Sequence, residues 1–284
     1  MDIGGSSSRA RLRDEAKVVH DAEGPGANVA VLSAQLVDER VTELLHGLGG
    51  LHPRACCAGA AGAEVAEGRA RLESLLGRLL PECRLMVVHD TRLVLAASGL
   101  DEGIALIAGT GSVAYGRTRD GREVQRGGWG WMVGDEGSGV WITREAVRLL
   151  MTRTERGYDL GELGEAMLAA AAVADVRQLI LKLHSRHEPR DWATLARVVS
   201  GTADLDVGAR EVLRRAGAEL AQRVTEVEVA LDLPGPVVLA GGLLLNEPRL
   251  EESVRASLPH MRIVRLEQPP VEGAVRLAEE LLRG

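Results

Sequence analysis

A chain of 284 residues, 45% hydrophobic and 26% charged, is long enough for one large domain or two modest ones, each with a core of useful size. Its net charge of -7 excludes a global field that recruits nucleic acid, and its longest apolar runs fall far short of a membrane span. Cys56, Cys57 and Cys83 make neither a CxxC pair nor a zinc-ligand spacing with histidine, so reduced thiols in a cytoplasmic protein are expected. The opening MDIGGSSSRA has neither the basic nor the apolar region of a signal peptide.

The first hundred residues alternate strand and helix signals. Residues 9–22 read as two short strands with a turn near Asp14-Glu15. Val31, Leu32, Leu36, Val41, Leu44 and Leu45 recur at near-helical spacing and predict a helix over 29–47. RACCA (54–58) is a short apolar strand, followed by a helix around 63–80. RLMVV (84–88) is a buried strand ending at His89-Asp90, and a helix follows to about Ser98.

GIALIAGTGSVAYGRTRDGREV then reads as strands separated by tight turns. From Gly137 to about Leu231 the pattern is helical almost throughout. GPVVLAGG is a strand ending in glycines, NEPRLEESVRASL a helix, RIVRL a strand, and PVEGAVRLAEELL a closing helix with proline near its start. Strands alternating with helices predict an α/β protein with a long helical insertion in its second half.

Three glycine-rich turns adjoin apolar strands: Asp2-Ile3-Gly4-Gly5-Ser6-Ser7-Ser8, Gly109-Thr110-Gly111-Ser112 and Ala240-Gly241-Gly242-Leu243. Glycine lets a backbone approach a phosphate, and successive N–H groups form an anion-binding concavity. None of the three is a Walker A loop or a GxGxxG fingerprint. Taken singly, each reads as only a turn, as most glycine turns are. A fourth stretch, GGWGWMVGDEGSG (127–139), concentrates glycine, two tryptophans and two acids in a chain with 2% aromatics and no Phe.

The order of the turns resembles the actin-like ATPase and sugar-kinase layout. The line GTGSVAYGRTRDGREVQRGGWGWMVGDEGSGVWI resembles the N-acetylglucosamine kinases of the BadF/BadG/BcrA/BcrD ATPase family, with GGWG…GDEGS its most specific part. The resemblance runs over essentially the whole chain. It implies two actin-like (ribonuclease H-like) domains with a nucleotide and sugar cleft between them. By this reading residues 1–102 form the first domain and 103–270 the second, with an insertion over about 140–232. Residues 271–284 form a closing helix that returns to the first domain. Only Met1 precedes Asp2, so either the first strand is shortened or the start is truncated.

The resemblance also implies roles. Asp2, Gly4, Gly5, Ser6 and Ser8 match the first phosphate loop, with Asp2 holding Mg2+, through water. Gly109, Thr110, Gly111 and Ser112 match the second phosphate loop, and Gly241 and Gly242 the adenosine-binding turn. Asp90 matches the general base, the group that takes the proton of an acceptor hydroxyl; on residue chemistry alone it reads as a helix N-cap, with Thr91 able to share that role. Asp135 would hydrogen-bond sugar hydroxyls, and Gly128 and Trp129 would line the sugar pocket. Trp141 reads as core, and Trp131 as either core or pocket. Asn28 is a sugar contact or an N-cap, while Ala58 and Gly59 belong to a strand-end loop that backs the sugar. Cys56 and Cys57 are buried apolar residues, and His89 a packed or hydrogen-bonded histidine.

The implied activity is ATP-dependent phosphorylation of an amino sugar, at O6. ATP and Mg2+ are the implied cofactors, with no nucleic-acid or membrane partner and a plausible homodimer. Val113, after GTGS, cannot hydrogen-bond a hydroxyl, so the sugar stays open among N-acetylglucosamine, glucosamine, N-acetylmuramate or a related one. Two other readings stand beside this one. A BadF-type ATPase activator with an iron–sulfur cluster needs cysteine ligands that the three thiols do not supply. A non-catalytic sugar or nucleotide sensor would bind without turnover.

Overall fold

The computed structural model describes residues 1–14, 17–50, 52–185 and 188–283. The chain divides into two compact units, Met1–Glu102 with Leu266–Gly284, and Gly103–Arg265. In chain order the first unit holds β1 (Asp2–Ile3), β2 (Ser7–Asp14), β3 (Lys17–Pro25), α1 (Ala34–His46), β4 (Ala55–Ala60), α2 (Ala66–Leu79), β5 (Arg84–His89) and α3 (Asp90–Ala97). The second holds β6 (Gly103–Ala108), β7 (Ser112–Arg117), β8 (Glu123–Gly127), α4 (Gly139–Glu155), α5 (Gly161–Ala171), α6 (Val176–His184), α7 (Pro189–Ala193), α8 (Ala196–Thr202), α9 (Val207–Leu231), β9 (Val237–Ala240), α10 (Gly242–Asn246), α11 (Pro248–Ser257) and β10 (Ile263–Arg265). The closing helix α12 (Pro270–Arg283) belongs to the first unit.

Both sheets have five strands and the same plan. The first runs β3-β2-β1-β4-β5 and the second, read from its other edge, β8-β7-β6-β9-β10. In each, three antiparallel strands are followed by two parallel ones. The parallel strands need helical crossovers, and the sequence supplies them as α1 and α2 in the first unit and as the α4–α9 block and α10 with α11 in the second.

Helix boundaries follow local capping. The helix expected over 29–47 starts later, at Ala34. Asn28 turns the chain first, its Oδ1 accepting from the Ala30 and Val31 N–H groups at 3.0 and 3.1 Å, and Ser33 then caps α1 by accepting from Leu36 N–H. The apolar stripe Val37, Val41 and Leu44 meets Leu72, Leu75 and Leu76 of α2 over one face of the first sheet. The other face carries Cys57 and Val88 against Leu93 of α3 and Ala274 and Leu277 of α12. Cys56 and Cys57 are buried free thiols, the second pushed up to about 11 by burial, as packing residues should be. Among the two expected turn residues Asp14 and Glu15, Glu15 lies outside the described residues.

In the second unit α9 lies along β7 at close range. A side chain at Gly116 would meet Val227 and Leu231 of α9 at under 3 Å, so glycine is what admits the helix. Asp206 fixes three helices at once. It accepts from Gly208 and Ala209 at the start of α9, from Leu163 of α5, and from both terminal nitrogens of Arg153 of α4 at 2.8 Å. The guanidinium holds the Asp206 carboxyl down at about 2, against burial. Asp206→Asn should therefore cost about 2–4 kcal/mol in urea unfolding at pH 7, because it leaves Arg153 half-buried without its charge partner. A depressed pKa contributes stability that is whole above the ordinary value near 3.8 and is lost as pH falls towards 2. The gap between parent and variant should narrow over that window; a gap that persists at pH 2 refutes the assignment.

Among the described residues no helix is long and apolar enough to cross a membrane.

Candidate functional site

In the first unit the three parallel strands end side by side. Ile3 pairs with Ala60 and Ala60 with His89, so the Gly4 turn, the loop after β4 and the start of α3 leave the sheet at one edge. The carboxyl end of parallel strands is where open α/β sheets bind ligands. Ala27 N–H donates to Gly4 C=O, and Val29 N–H to Ala61 C=O, which brings the Asn28 turn to the same edge.

Asp90 is the first residue of α3, and its cap is His89, whose Nδ1 accepts from Thr91 N–H. The Asp90 carboxylate also takes backbone N–H bonds, from Thr91 and from its own residue, and these oppose the rise in its pKa. Thr91 is fully buried, with its Oγ1 2.5 Å and its backbone N–H 3.3 Å from His89 Nδ1. The His89 ring lies between acids, with Nε2 3.0 Å from Glu64 and Nδ1 3.2 Å from Asp90. Burial opposes its charge, but Glu64 and Asp90 outweigh burial and hold its pKa above the usual histidine value. Burial raises the Asp90 pKa, and the His89 charge only partly offsets it. Asp2, on β1, is pushed up to about 6 by burial and then by the Asp90 charge. Perturbed carboxyls at a sheet mouth mark a functional site more often than a structural one. Glu64, on the loop after β4, carries no pattern by which the sequence could have placed it there.

The glycines separate by what excludes a side chain. Gly4 closes the β1–β2 turn by donating to Ser7 C=O, and a Cβ there would crowd that oxygen. Gly5 and Gly109 face open space, so nothing in the protein requires them to be glycine. Ser6 is exposed; Ser8 is buried, with an Oγ that has no partner among the described residues. Ala58 and Gly59 lie inside β4 rather than in a strand-end loop, because the strand runs on to Ala60; a side chain at Gly59 would strike Leu93 at 2.4 Å.

In the second unit β6 and β9 are parallel, and their carboxyl ends carry the other two turns. Gly241 has φ +91°, and a Cβ there would meet the backbone of Ala108, so it serves close strand packing while opening α10 at Gly242. The Gly109–Ser112 turn is laced to the 127–139 segment. Gly139 N–H donates to Gly109 C=O at 2.9 Å, Ser112 Oγ to Glu136 C=O at 2.8 Å, and Gly128 N–H to Ser112 C=O at 3.0 Å. Thr110 takes the Val140 N–H through its carbonyl.

Asp135 sits at the centre of this lacing. It holds φ +56°, accepts from Gly130 N–H at 3.1 Å, and lies where a side chain at Gly111 would be. A non-glycine residue at positive φ is a strain that surrounding bonds must hold in place. Burial raises its pKa, opposed by the N–H groups of Gly130 and Ser112 and by Arg144. Beside it Trp129 is 81% exposed, with Met132 and Val133 also exposed. Trp131 instead packs on Trp192, ring centroids 6.4 Å apart. Trp141 is buried as core under the Arg215 guanidinium. Among the described residues no three metal-ligating side chains converge. Mg2+ needs no such cage, because it keeps waters and takes one or two carboxylates with substrate phosphates. Asp2 beside Asp90, two like charges whose ionisation each opposes, suits a cation of that kind.

The model of the BadF/BadG/BcrA/BcrD ATPase family matches residues 1–278. The N-acetylmuramic acid/N-acetylglucosamine kinase of Clostridium acetobutylicum is 30% identical, over 98% of this chain and 96% of its own length. A candidate N-acetylglucosamine kinase from Chromobacterium violaceum has a solved structure that superimposes with a TM-score of 0.75 at 26% identity, over 97% of this chain and 96% of that one. A ROK hexokinase from Thermus thermophilus, at 16% identity and TM-score 0.52, shares the fold.

Proposed function

We infer, from the premise that the chain belongs to the BadF/BadG/BcrA/BcrD ATPase family, that it is an ATP-dependent amino-sugar kinase. The observation that carries the reading is Asp90: a carboxylate at the carboxyl end of β5 and the start of α3, with its pKa raised by burial. A sugar hydroxyl is a weak nucleophile, and a base with a raised pKa takes its proton more readily. The acceptor oxygen then bonds to the γ-phosphorus as the bond to the leaving ADP oxygen breaks, and the hydroxyl proton rests on Asp90.

The other residues bind and orient. Gly5, Ser6 and Ser8 of the first turn and Gly109, Thr110 and Ser112 of the second would meet the phosphates through backbone N–H groups and hydroxyls, Gly4 and Gly111 shaping those turns. Gly241 and Gly242 would give the nucleoside room. Asp2 would hold Mg2+, which when bound neutralises phosphate charge. Asp135 would fix sugar hydroxyls, with Asn28, Ala58, Gly59 and Gly128 shaping the surroundings. Trp129 would stack on the pyranose face. The acceptor proposed is O6, the primary and least hindered hydroxyl, of N-acetylglucosamine, N-acetylmuramate or glucosamine.

A coupled assay for ADP release with these three sugars, followed by 31P NMR of the product, tests the reading. Sugar-dependent ADP and a phosphate on O6 are expected; ADP release that no amino sugar stimulates refutes it. Trp129→Ala should raise the sugar KM about tenfold, the scale of a lost stacking contact. Its Tm should stay unchanged, because the ring is exposed. An unaltered KM removes Trp129 from the pocket.

A further inference from the structure

The 127–139 segment is poorly equipped to hold its own shape. Gly127, Gly128, Gly130 and Gly137 all stand at positive φ, and glycine has more backbone freedom to lose than any other residue. Trp129, Met132 and Val133 are exposed, so their side chains bury little against the rest of the unit. Trp131 differs: it is half-buried, with exposed residues on either side of it.

Trp131 is gripped twice, by its main chain and by its ring, and so is the residue it meets. Arg144 Nη1 donates to Trp131 C=O at 3.2 Å, and Thr143 Oγ1 donates to Trp192 C=O at 2.8 Å. The two indole rings lie 6.4 Å apart between centroids, tilted by 39°, within the range of attractive aromatic pairs. Consecutive residues of α4 thus hold the main chains of two tryptophans, and the rings close the circuit. Trp192 belongs to α7, a five-residue helix of the insertion. That helix has a seat of its own, because Ala193 packs on Gly139, where a Cβ would stand 3.0 Å from the Ala193 Cβ. Removing the Trp192 ring therefore leaves α7 docked on α4.

The circuit reaches the acceptor side through the neighbours of Trp131. Gly130 N–H donates to Asp135 Oδ1 at 3.1 Å, and Gly130 C=O accepts from Gly134 N–H at 2.9 Å. A fixed Trp131 fixes the peptide before it, and with it the donor that orients the Asp135 carboxylate and the carbonyl on which the turn closes. Trp129 stands at the other end of Gly130.

We propose that Trp192 is a positioning residue for the acceptor sugar: through the Trp131 ring it holds residues 129–135 in the shape that presents Trp129 and Asp135. The proposal rests on the kinase reading of those two residues and extends the acceptor side to the helical insertion. A turn that is already ordered has less freedom to lose when the sugar binds, so the circuit contributes to sugar affinity. A turn that wanders misplaces the hydroxyls that Asp135 fixes, and turnover falls with it.

The test compares the parent with Trp192→Leu, Trp192→Phe and Arg144→Met. Amide hydrogen exchange over residues 128–135 is followed by mass spectrometry without ligands. Sugar KM, ATP KM and kcat come from ADP release with N-acetylglucosamine, N-acetylmuramate and glucosamine. Trp192→Leu and Arg144→Met, which break the circuit at different points, should each speed exchange over 128–135 about tenfold. Each should raise the sugar KM about fivefold, the scale of one lost aromatic contact or hydrogen bond, with ATP KM within about twofold of the parent. Trp192→Phe keeps an aromatic ring on Trp131 and should stay within about twofold of the parent in exchange and in sugar KM. A leucine variant that lowers Tm but exchanges and takes sugar like the parent overturns the proposal, since Trp192 would then only pack. Equal rises in sugar and ATP KM overturn it too, as do equal losses in the leucine and phenylalanine variants. A parent whose ADP release no amino sugar stimulates removes the kinase reading and this one with it; sugar-stimulated turnover with an unchanged sugar KM in Trp192→Leu removes this one alone.

Discussion

Asp90→Asn should lower kcat for sugar phosphorylation by about 10²–10⁴-fold, the range for loss of a positioned base. It should leave ATP affinity by calorimetry within a few-fold of the parent. The amide keeps the size and helical position of the carboxylate, because the cap of α3 is His89 and not Asp90. Folding should survive, and stability should hold or rise, since burial disfavours the charge that the substitution removes. The parent should lose rate as the base is protonated on the acid side. That limb should lie above the ordinary carboxylate range, in the direction burial moves Asp90. A variant within tenfold of the parent, measured at saturating sugar, removes Asp90 from the base role.

Asp2→Asn should trade activity for stability. The folded protein holds the Asp2 carboxyl at about 6, above the ordinary 3.8, through burial and the neighbouring Asp90 charge. A raised carboxylate pKa means the folded state binds the proton better than the unfolded one. Stability from this group is therefore whole below pH 3.8 and lost as pH rises through 6. At pH 8 the asparagine variant should be more stable by about 1–3 kcal/mol, from roughly two pKa units. The advantage should vanish near pH 4. Turnover should fall by 100-fold or more if Asp2 holds the phosphate-bound cation. Urea unfolding at pH 8 and pH 4 checks the first part; equal differences at the two values would mean that Asp2 carries no such burden. Functional sites commonly hold such destabilising charges.

The sequence made the alternation of elements legible, because apolar periodicity reports buried faces. RLMVVH, GIALIA and PVVLA are runs too short for helices and too apolar for loops, and they became β5, β6 and β9. The GTGS and GDEGS segments were legible as glycine-rich turns, but not the hydrogen bonds that lace them together. Boundaries that depend on capping were not: Asn28 and Ser33 both suit a cap, and only the folded chain shows that the first turns the chain and the second starts α1. Gly59 is similar. A glycine near a strand end suggests room for a ligand, but Leu93, thirty-odd residues on, is what excludes its side chain.

By itself, then, the sequence determined the α/β class, the two-part order of strands and turns, and the family, because these follow from local residue patterns read along the chain. Tertiary structure decided what depends on residues far apart in sequence. It put Glu64 3.0 Å from His89, beside Asp90, and so gathered three titratable groups at one sheet edge. It pressed Asp135 into the space that Gly111 leaves open. In each case the physical reason is the same: a carboxylate's pKa and a glycine's necessity are set by neighbours in space, and no local pattern along the chain encodes them.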